Sequence, residues 1–292
     1  MCCPNCKNKA IQKKQRYVSK NRIFINKNLF YCASCNLVFV SPMPSKEDLS
    51  SYYTSFWNGE VATVSSSTRR YYMAQSISRI RYINQHTTIK ENSAILDVGA
   101  GLGMFAEALF KERFKCQYNA IEPDKVQRFK LAKNKNIKNT YAAIEDVTRK
   151  NRFDLIILSH VLEHVIDPNI FIKNLTFLLN KDGLLFIEVP NEDYKYKLNL
   201  EPHLLFFNEK SLSECIKKHG NVIHLCSVGS EIGSLKEKKH NSKRNFCLNN
   251  IKELIKWIFI LLDKNHINKQ INKLQMSVEG KNRQWLRAII QK

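Results

Sequence analysis

The segment Ile95-Leu-Asp97-Val-Gly99-Ala-Gly101-Leu-Gly103-Met-Phe105 restricts this chain more than any other. An apolar run of strand character ends in it, and a helical pattern starts after Gly103. Glycines at alternate positions let the backbone turn tightly and let a ligand lie against it with no Cβ in the way. Strand, glycine turn and helix together point to a doubly wound α/β sheet, whose ligands sit outside the carboxyl ends of the strands. Glu122 follows Gly103 by 19 residues, at the end of the next apolar run. A carboxylate there can accept both hydroxyls of a ribose. A dinucleotide site would carry Gly-x-Gly-x-x-Gly, with a pyrophosphate on the helix N-terminus. Here the spacing is Gly99-x-Gly101-x-Gly103, and Asp97 precedes it. An acidic group at that place repels a diphosphate and suits the ammonium of an amino acid.

Hydrophobic periodicity extends the pattern. Helices are predicted over 69–86, 103–111, 123–133, 169–179 and 209–219, and strands over 94–98, 116–121, 140–142, 153–159, 184–189 and 222–228. Continuous apolar strands alternating with helices imply a mostly parallel sheet covered on both faces.

On these motifs the chain resembles class I S-adenosylmethionine (SAM) dependent methyltransferases. The likeness runs through Ile95–Phe105, Ala120-Ile-Glu122-Pro-Asp124, Phe153-Asp-Leu-Ile-Ile-Leu-Ser159-His160-Val-Leu-Glu163-His164-Val-Ile-Asp-Pro168 and Gly183-Leu-Leu-Phe-Ile-Glu188-Val-Pro-Asn191, and covers about residues 70–228. The resemblance implies a Rossmann-like fold with SAM as methyl donor. Asp97, Gly99, Gly101 and Gly103 would surround its methionine part, and Glu122 its ribose. Asp146, beside Glu145, would meet the adenine amino group, and Ser159 and His160 would lie beside the methionine moiety.

His160 and His164 stand four apart, a spacing that can place two metal ligands on one helix face. The order differs from His-Glu-x-x-His, and no third ligand is near in sequence. Glu163 and His164 are therefore expected to fix the loop by hydrogen bonds, as the related methyltransferases suggest.

Nine cysteines are present, five of them within the first 35 residues. Cys3-Pro-Asn-Cys6 and Cys32-Ala-Ser-Cys35 form two C-x2-C knuckles separated by 25 residues. Two such knuckles complete a tetrahedral zinc site, and four thiolates leave no position for water, so the zinc is expected to be structural. Short strands are expected at 16–18 and 22–24 between the knuckles. The ribbon, then Leu37-Val-Phe-Val-Ser-Pro-Met-Pro44, then Tyr52-Tyr53, then the SAM fold, resembles a bacterial subgroup that acts on sugars, nucleotide-sugars and other precursors of surface glycans. Its sugar C-methyltransferases carry a Tyr-His-Glu-His-like stretch. Here Leu200-Glu201-Pro202-His203 lacks the Tyr-His, which favours O- or N-methylation.

Methyl transfer from a sulfonium needs an in-line nucleophile, and positioning supplies much of the rate. A hydroxyl acceptor benefits from a general base, and His203, just past the fifth strand, is the first choice. Tyr194 and Glu201 are expected in the acceptor pocket, with Tyr196 in the same segment. Tyr52, Tyr53, Phe56 and Trp57 either cap it or serve as buried packing.

The formal charge is +21, with Lys, Asn and Ile abundant throughout. Residues 236–292 hold 14 Lys or Arg against 4 Asp or Glu, a net of +10. Within them 254–262 is apolar but too short to span a bilayer, leaving a core helix, a dimer contact or an interfacial helix at a membrane surface through 251–262. Three parts are thus expected: a zinc ribbon and aromatic linker over 1–60, the SAM-binding domain over 61–235, and a basic, helical extension over 236–292. With no charged-then-apolar leader at its start, the chain reads as cytoplasmic. The acceptor is expected to be small, sugar-like or phosphorylated. The rival readings are an RNA or DNA methyltransferase gripping phosphates with ribbon and tail, and a scaffold that keeps the fold without catalysis. The chain has Ser-His-Val-Leu-Glu-His where base N-methylation uses Asn-Pro-Pro-aromatic, and no Pro-Cys for ring-carbon methylation.

Overall fold

A computed structural model describes residues 1–19, 21–54, 64–235 and 266–292. Its main sheet has seven strands: β4 (Ser93–Val98), β5 (Cys116–Ile121), β6 (Ile137–Tyr141), β7 (Phe153–Ser159), β8 (Leu179–Pro190), β10 (Asn221–Glu231) and β11 (Arg283–Gln291). Their order is β10-β11-β8-β7-β4-β5-β6. From β8 to β6 neighbours run parallel, with Ile95 facing Leu155 on one side and Tyr118 on the other. Parallel neighbours require crossovers. The helices α3 (Met104–Lys111), α4 (Lys125–Ala132), α5 (Pro168–Leu178) and α6 (Glu209–Ile216) lie in these connections, and the longer α2 (Ser66–His86) precedes the sheet.

Local chemistry sets the helix starts. Asp124 accepts from the N–H groups of Val126 and Gln127, each at 2.9 Å, and so caps α4. Asp167 does the same for α5 with Asn169 and Ile170, and Pro168 occupies the first turn, where its missing N–H costs nothing. Apolar layers cover both faces of the sheet. One joins Ile156, Leu158, Leu185, Ile187 and Leu175, and the other joins Ile95, Ile157, Phe186, Leu109 and Ile83.

The domain includes described residues beyond 235. Beyond α7 (His266–Lys273), β11 enters the sheet antiparallel between β8 and β10, with Leu286 opposite Val189 and Ser227. Where a helical extension is expected, the described residues hold α7 and, over 283–291, a strand. Trp285, Leu286, Ala288, Ile289 and Ile290 are all buried there, because an interior strand has apolar layers on both faces. The apolar segment 251–262, and Phe56 and Trp57, fall outside the described residues.

The N-terminal part forms a second sheet, β1 (Ile11–Arg16), β2 (Asn28–Cys32) and β3 (Val38–Ser41), all antiparallel. A hairpin does join the two cysteine knuckles, but its strands are not at 16–18 and 22–24. β1 reads Ile-Gln-Lys-Lys-Gln-Arg and is exposed, so it carries no apolar alternation. Residues 22–24 lie in the turn, where Phe24 is buried against Tyr17 and Tyr52. The short strand β9 (Leu205–Phe206), from the middle of the chain, pairs with β3 as a fourth strand. α1 (Lys46–Thr54) follows the ribbon.

Candidate active site

The carboxyl ends of β4 to β8 collect the residues that the sequence singles out. Gly99, Gly101 and Gly103 have φ of +74°, +52° and +70°. A Cβ on Gly99 would stand 2.5 Å from Cγ2 of Val161, and one on Gly103 2.7 Å from Cδ2 of Leu131. On Gly101 nothing would come nearer than 3.9 Å, so the loop leaves open space there. Glu122 is buried across that space. Its Oε2 accepts from the Gly101 N–H at 2.7 Å and its Oε1 from the Asp124 N–H at 2.9 Å. Burial raises its pKa, and the two backbone bonds oppose the rise. Asp97 is also buried, and Oδ2 accepts from the Tyr118 hydroxyl. Desolvation lifts this carboxyl to about 6.

Asp146 Oδ2 accepts from the N–H groups of Ala142 and Ala143, at 3.1 and 2.9 Å, which fixes the turn after β6. Ser159 ends β7, its buried hydroxyl without a hydrogen-bond partner among the described residues. His160 follows at φ +55°, its ring between Glu163 (Nδ1, 3.3 Å) and Glu188 (Nε2, 3.1 Å). Burial alone would lower the His160 pKa, but the two carboxylates raise it. The eight cofactor residues expected from sequence thus share one edge of the sheet.

Glu188, facing Ser159 across β7 and β8, was not among them. Its Oε1 accepts from Arg79 Nε and Nη2 at 2.8 and 2.6 Å, and its Oε2 from Arg287 Nε at 2.6 Å. Complete burial would keep it protonated, but the two guanidiniums hold it well below the usual carboxylate range. A lone glutamate inside the apolar run Leu184–Val189 was the available signal, since a buried carboxylate requires partners. Its partners come from α2 and β11, over 100 residues before it and almost as many after.

On the acceptor side, His203 is buried, with Nδ1 2.8 Å from Asp193 Oδ2. Its Nε2 lies 3.9 Å from Glu163 Oε1, and its ring meets His164 edge-on at 4.9 Å. His164 Nδ1 lies 3.4 Å from the Pro202 carbonyl, and burial lowers its pKa to about 4. Glu163 and His164 therefore meet His203, a third group that sequence distance concealed. Tyr53 packs on His164 at 5.8 Å, whereas Tyr52 stacks edge-on against Phe24 in the ribbon. Glu201 is engaged by the Ser19 hydroxyl and the Asn21 N–H, so it ties down the ribbon turn. Tyr194 lines a groove of about 630 Å³ with Lys14, Arg16, Lys195, Lys197 and Leu200. Lys197 Nζ is 2.9 Å from Asp193 Oδ2, which joins this basic groove to His203.

In the ribbon, Cys3 and Cys35 Sγ are 3.6 Å apart and Cys6 and Cys32 Sγ 3.5 Å. All four sulfurs lie within 4.8 Å of one another.

Residues 66–225 match the family model described as a methyltransferase domain. A ubiquinone biosynthesis O-methyltransferase of Coxiella burnetii is 35% identical over 124 residues, 40% of this chain and 51% of that protein. An (S)-coclaurine N-methyltransferase of Papaver somniferum is 32% identical over 112 residues, 36% of this chain and 31% of that protein. The chain spans about half the length, or less, of the curated relatives it matches. Among solved structures, a SAM-dependent methyltransferase of Thermotoga maritima shares the fold, with a TM-score of 0.50 and 13% identity over 84% of this chain and 99% of that one.

Proposed function

The chain belongs to the methyltransferase-domain family, and from that premise we propose that it transfers the methyl group of SAM to a small, anionic acceptor. The observation that carries the donor is the glycine cradle facing Glu122. Gly101 leaves room where a Cβ would intrude, and the Glu122 carboxylate stands opposite it. The cradle and Asp97 would hold the methionine part, Glu122 the ribose, and Asp146 the adenine. Ser159 and His160 would line the methionine side.

The acceptor would bind beyond His160, toward Tyr53 and His203. The groove beside Asp193 supports a phosphorylated or nucleotide-linked acceptor through the positive charges of Lys14 and Arg16, while Lys195 and Lys197 are paired with Glu192 and Asp193. Sugar precursors of surface glycans fit that description. O- or N-methylation is favoured over C-methylation, and the names of the two relatives accord with that. The cluster of Glu163, His164 and His203 would acidify the acceptor group, with Asp193 holding His203 in orientation.

Cys3, Cys6, Cys32 and Cys35 would hold structural zinc. A Zn–S bond of about 2.3 Å implies a tetrahedral edge of about 3.8 Å, near the two sulfur separations above. The closed four-thiolate set serves folding, not catalysis.

The test is calorimetry with S-adenosylhomocysteine, followed by transfer of labelled methyl from SAM to nucleotide-sugars, sugar phosphates and uncharged sugars. Binding, with turnover confined to the anionic acceptors, is expected. No binding of S-adenosylhomocysteine would sink the donor assignment, and turnover of uncharged sugars alone would sink the anionic one.

A further inference from the structure

The groups around Glu163 form an arrangement that hydrogen bonds alone do not complete. The Pro202 carbonyl can only accept, so the hydrogen of His164 sits on Nδ1, and a neutral ring then carries its lone pair on Nε2. Asp193 Oδ2 stands 2.8 Å from His203 Nδ1, off hydrogen-bond geometry, and its negative charge favours the proton on that nitrogen. Both Nε2 atoms face Glu163 Oε1, at 3.8 and 3.9 Å. That oxygen also meets His160 Nδ1 at 3.3 Å. The other oxygen, Oε2, is buried with no hydrogen-bond partner among the described residues, on a side chain only 1% exposed. Two imidazole lone pairs and a carboxylate thus converge, and their ligand atoms all lie within 4.8 Å of one another.

We propose that Glu163, His164 and His203 bind one divalent transition-metal ion. Each histidine offers one nitrogen inward, while the Pro202 carbonyl accepts from the other nitrogen of His164 and the Asp193 carboxylate stands beside that of His203, the outer arrangement that orients imidazole ligands. Ligand bonds of about 2.0–2.2 Å require the three atoms to draw in by about half an ångström. The backbone is already tethered, since Leu204 N–H donates to the Glu163 carbonyl at 2.8 Å. Mixed nitrogen and oxygen donors suit zinc, cobalt, iron or nickel better than magnesium or calcium. Three protein ligands leave a coordination position open, unlike the four-cysteine site. The purpose of the ion rests on the methyl-transfer reading, although its binding does not. An acceptor hydroxyl in the open position releases its proton to solvent, and its oxygen takes the methyl as the S–CH3 bond breaks. His203 then acts on the acceptor as a ligand.

The experiment is a cobalt(II) titration of the full chain carrying a single zinc equivalent on its four cysteines, followed by calorimetry and visible absorption. It uses a His224→Gln background, because His86, His224 and Glu279 form another trio within 4.8 Å. One equivalent is expected, with weak visible bands and no sulfur-to-cobalt charge transfer. His164→Ala and His203→Ala should each weaken it by a hundredfold or more. Asp193→Asn, which keeps all three ligands, should weaken it by about 10- to 100-fold. S-adenosylhomocysteine binding should stay within twofold in every variant, reporting an intact fold. No cobalt equivalent bound, or binding indifferent to both histidine variants, overturns the site. Loss of S-adenosylhomocysteine binding in the parent chain would overturn the methyl-transfer reading instead and leave the cobalt result standing.

Discussion

The Asp97 carboxylate and the Tyr118 hydroxyl meet across the parallel pair β4 and β5, with Oδ2 and Oη 2.5 Å apart and both side chains buried. Burial raises Asp97 to about 6, so folding favours its protonated form. The resulting stability is complete below pH 4, falls as pH rises, and is lost above about pH 6. Asp97→Asn removes this titration. It should stabilise the chain by about 2 kcal/mol at pH 7.5 and by little at pH 4 in urea unfolding. If Asp97 pairs with the ligand's ammonium as proposed, binding of S-adenosylhomocysteine should weaken about tenfold per unit below pH 6, and calorimetry from pH 5 to 8 would show it.

The three glycines should answer differently to alanine. Gly101→Ala has room for its Cβ, so stability should fall only by the left-handed backbone cost of about 1–2 kcal/mol. Its methyl enters the ligand space, and affinity for S-adenosylhomocysteine should drop at least tenfold. Gly99→Ala meets Val161 at 2.5 Å and adds an overpacking cost of about 1–3 kcal/mol. Unfolding and binding measured on the same samples separate the two effects.

Glu188 holds two arginines that would otherwise face each other buried. Glu188→Gln should destabilise the chain by about 3–5 kcal/mol, read as a shift of the urea midpoint. An unshifted midpoint would contradict the network.

Cys6→Ser opens the four-sulfur cluster. Zinc retained after dialysis should fall by one equivalent per chain, and the thermal midpoint by at least about 5 °C, because Leu29, Leu37 and Val40 of the ribbon share one core with the main domain. Metal analysis and calorimetry would check both.

Much of the fold was legible because apolar runs mark interior parallel strands. The bounds of β5 and β7 coincide with those expected from sequence. The glycine cradle and the cysteine knuckles were legible because their chemistry is local. What escaped depends on distance along the chain. Asp193 and His203 are ten residues apart, and nothing in their spacing shows that their side chains touch. The Arg79–Glu188–Arg287 cluster joins three elements spread over 209 positions. β1 was misplaced because an exposed polar strand carries no period, and β11 because its apolar residues lie in a segment dominated by positive charge.

The position of β11 also orders events in time. It lies inside the sheet, between β8 and β10, yet it follows both in sequence. During synthesis β8 must wait with an unpaired edge while nearly a hundred further residues are made. The native partner of β10 is β11, so that pairing forms only after β11 is made. The nascent chain would therefore carry an open, aggregation-prone edge until β11 has emerged.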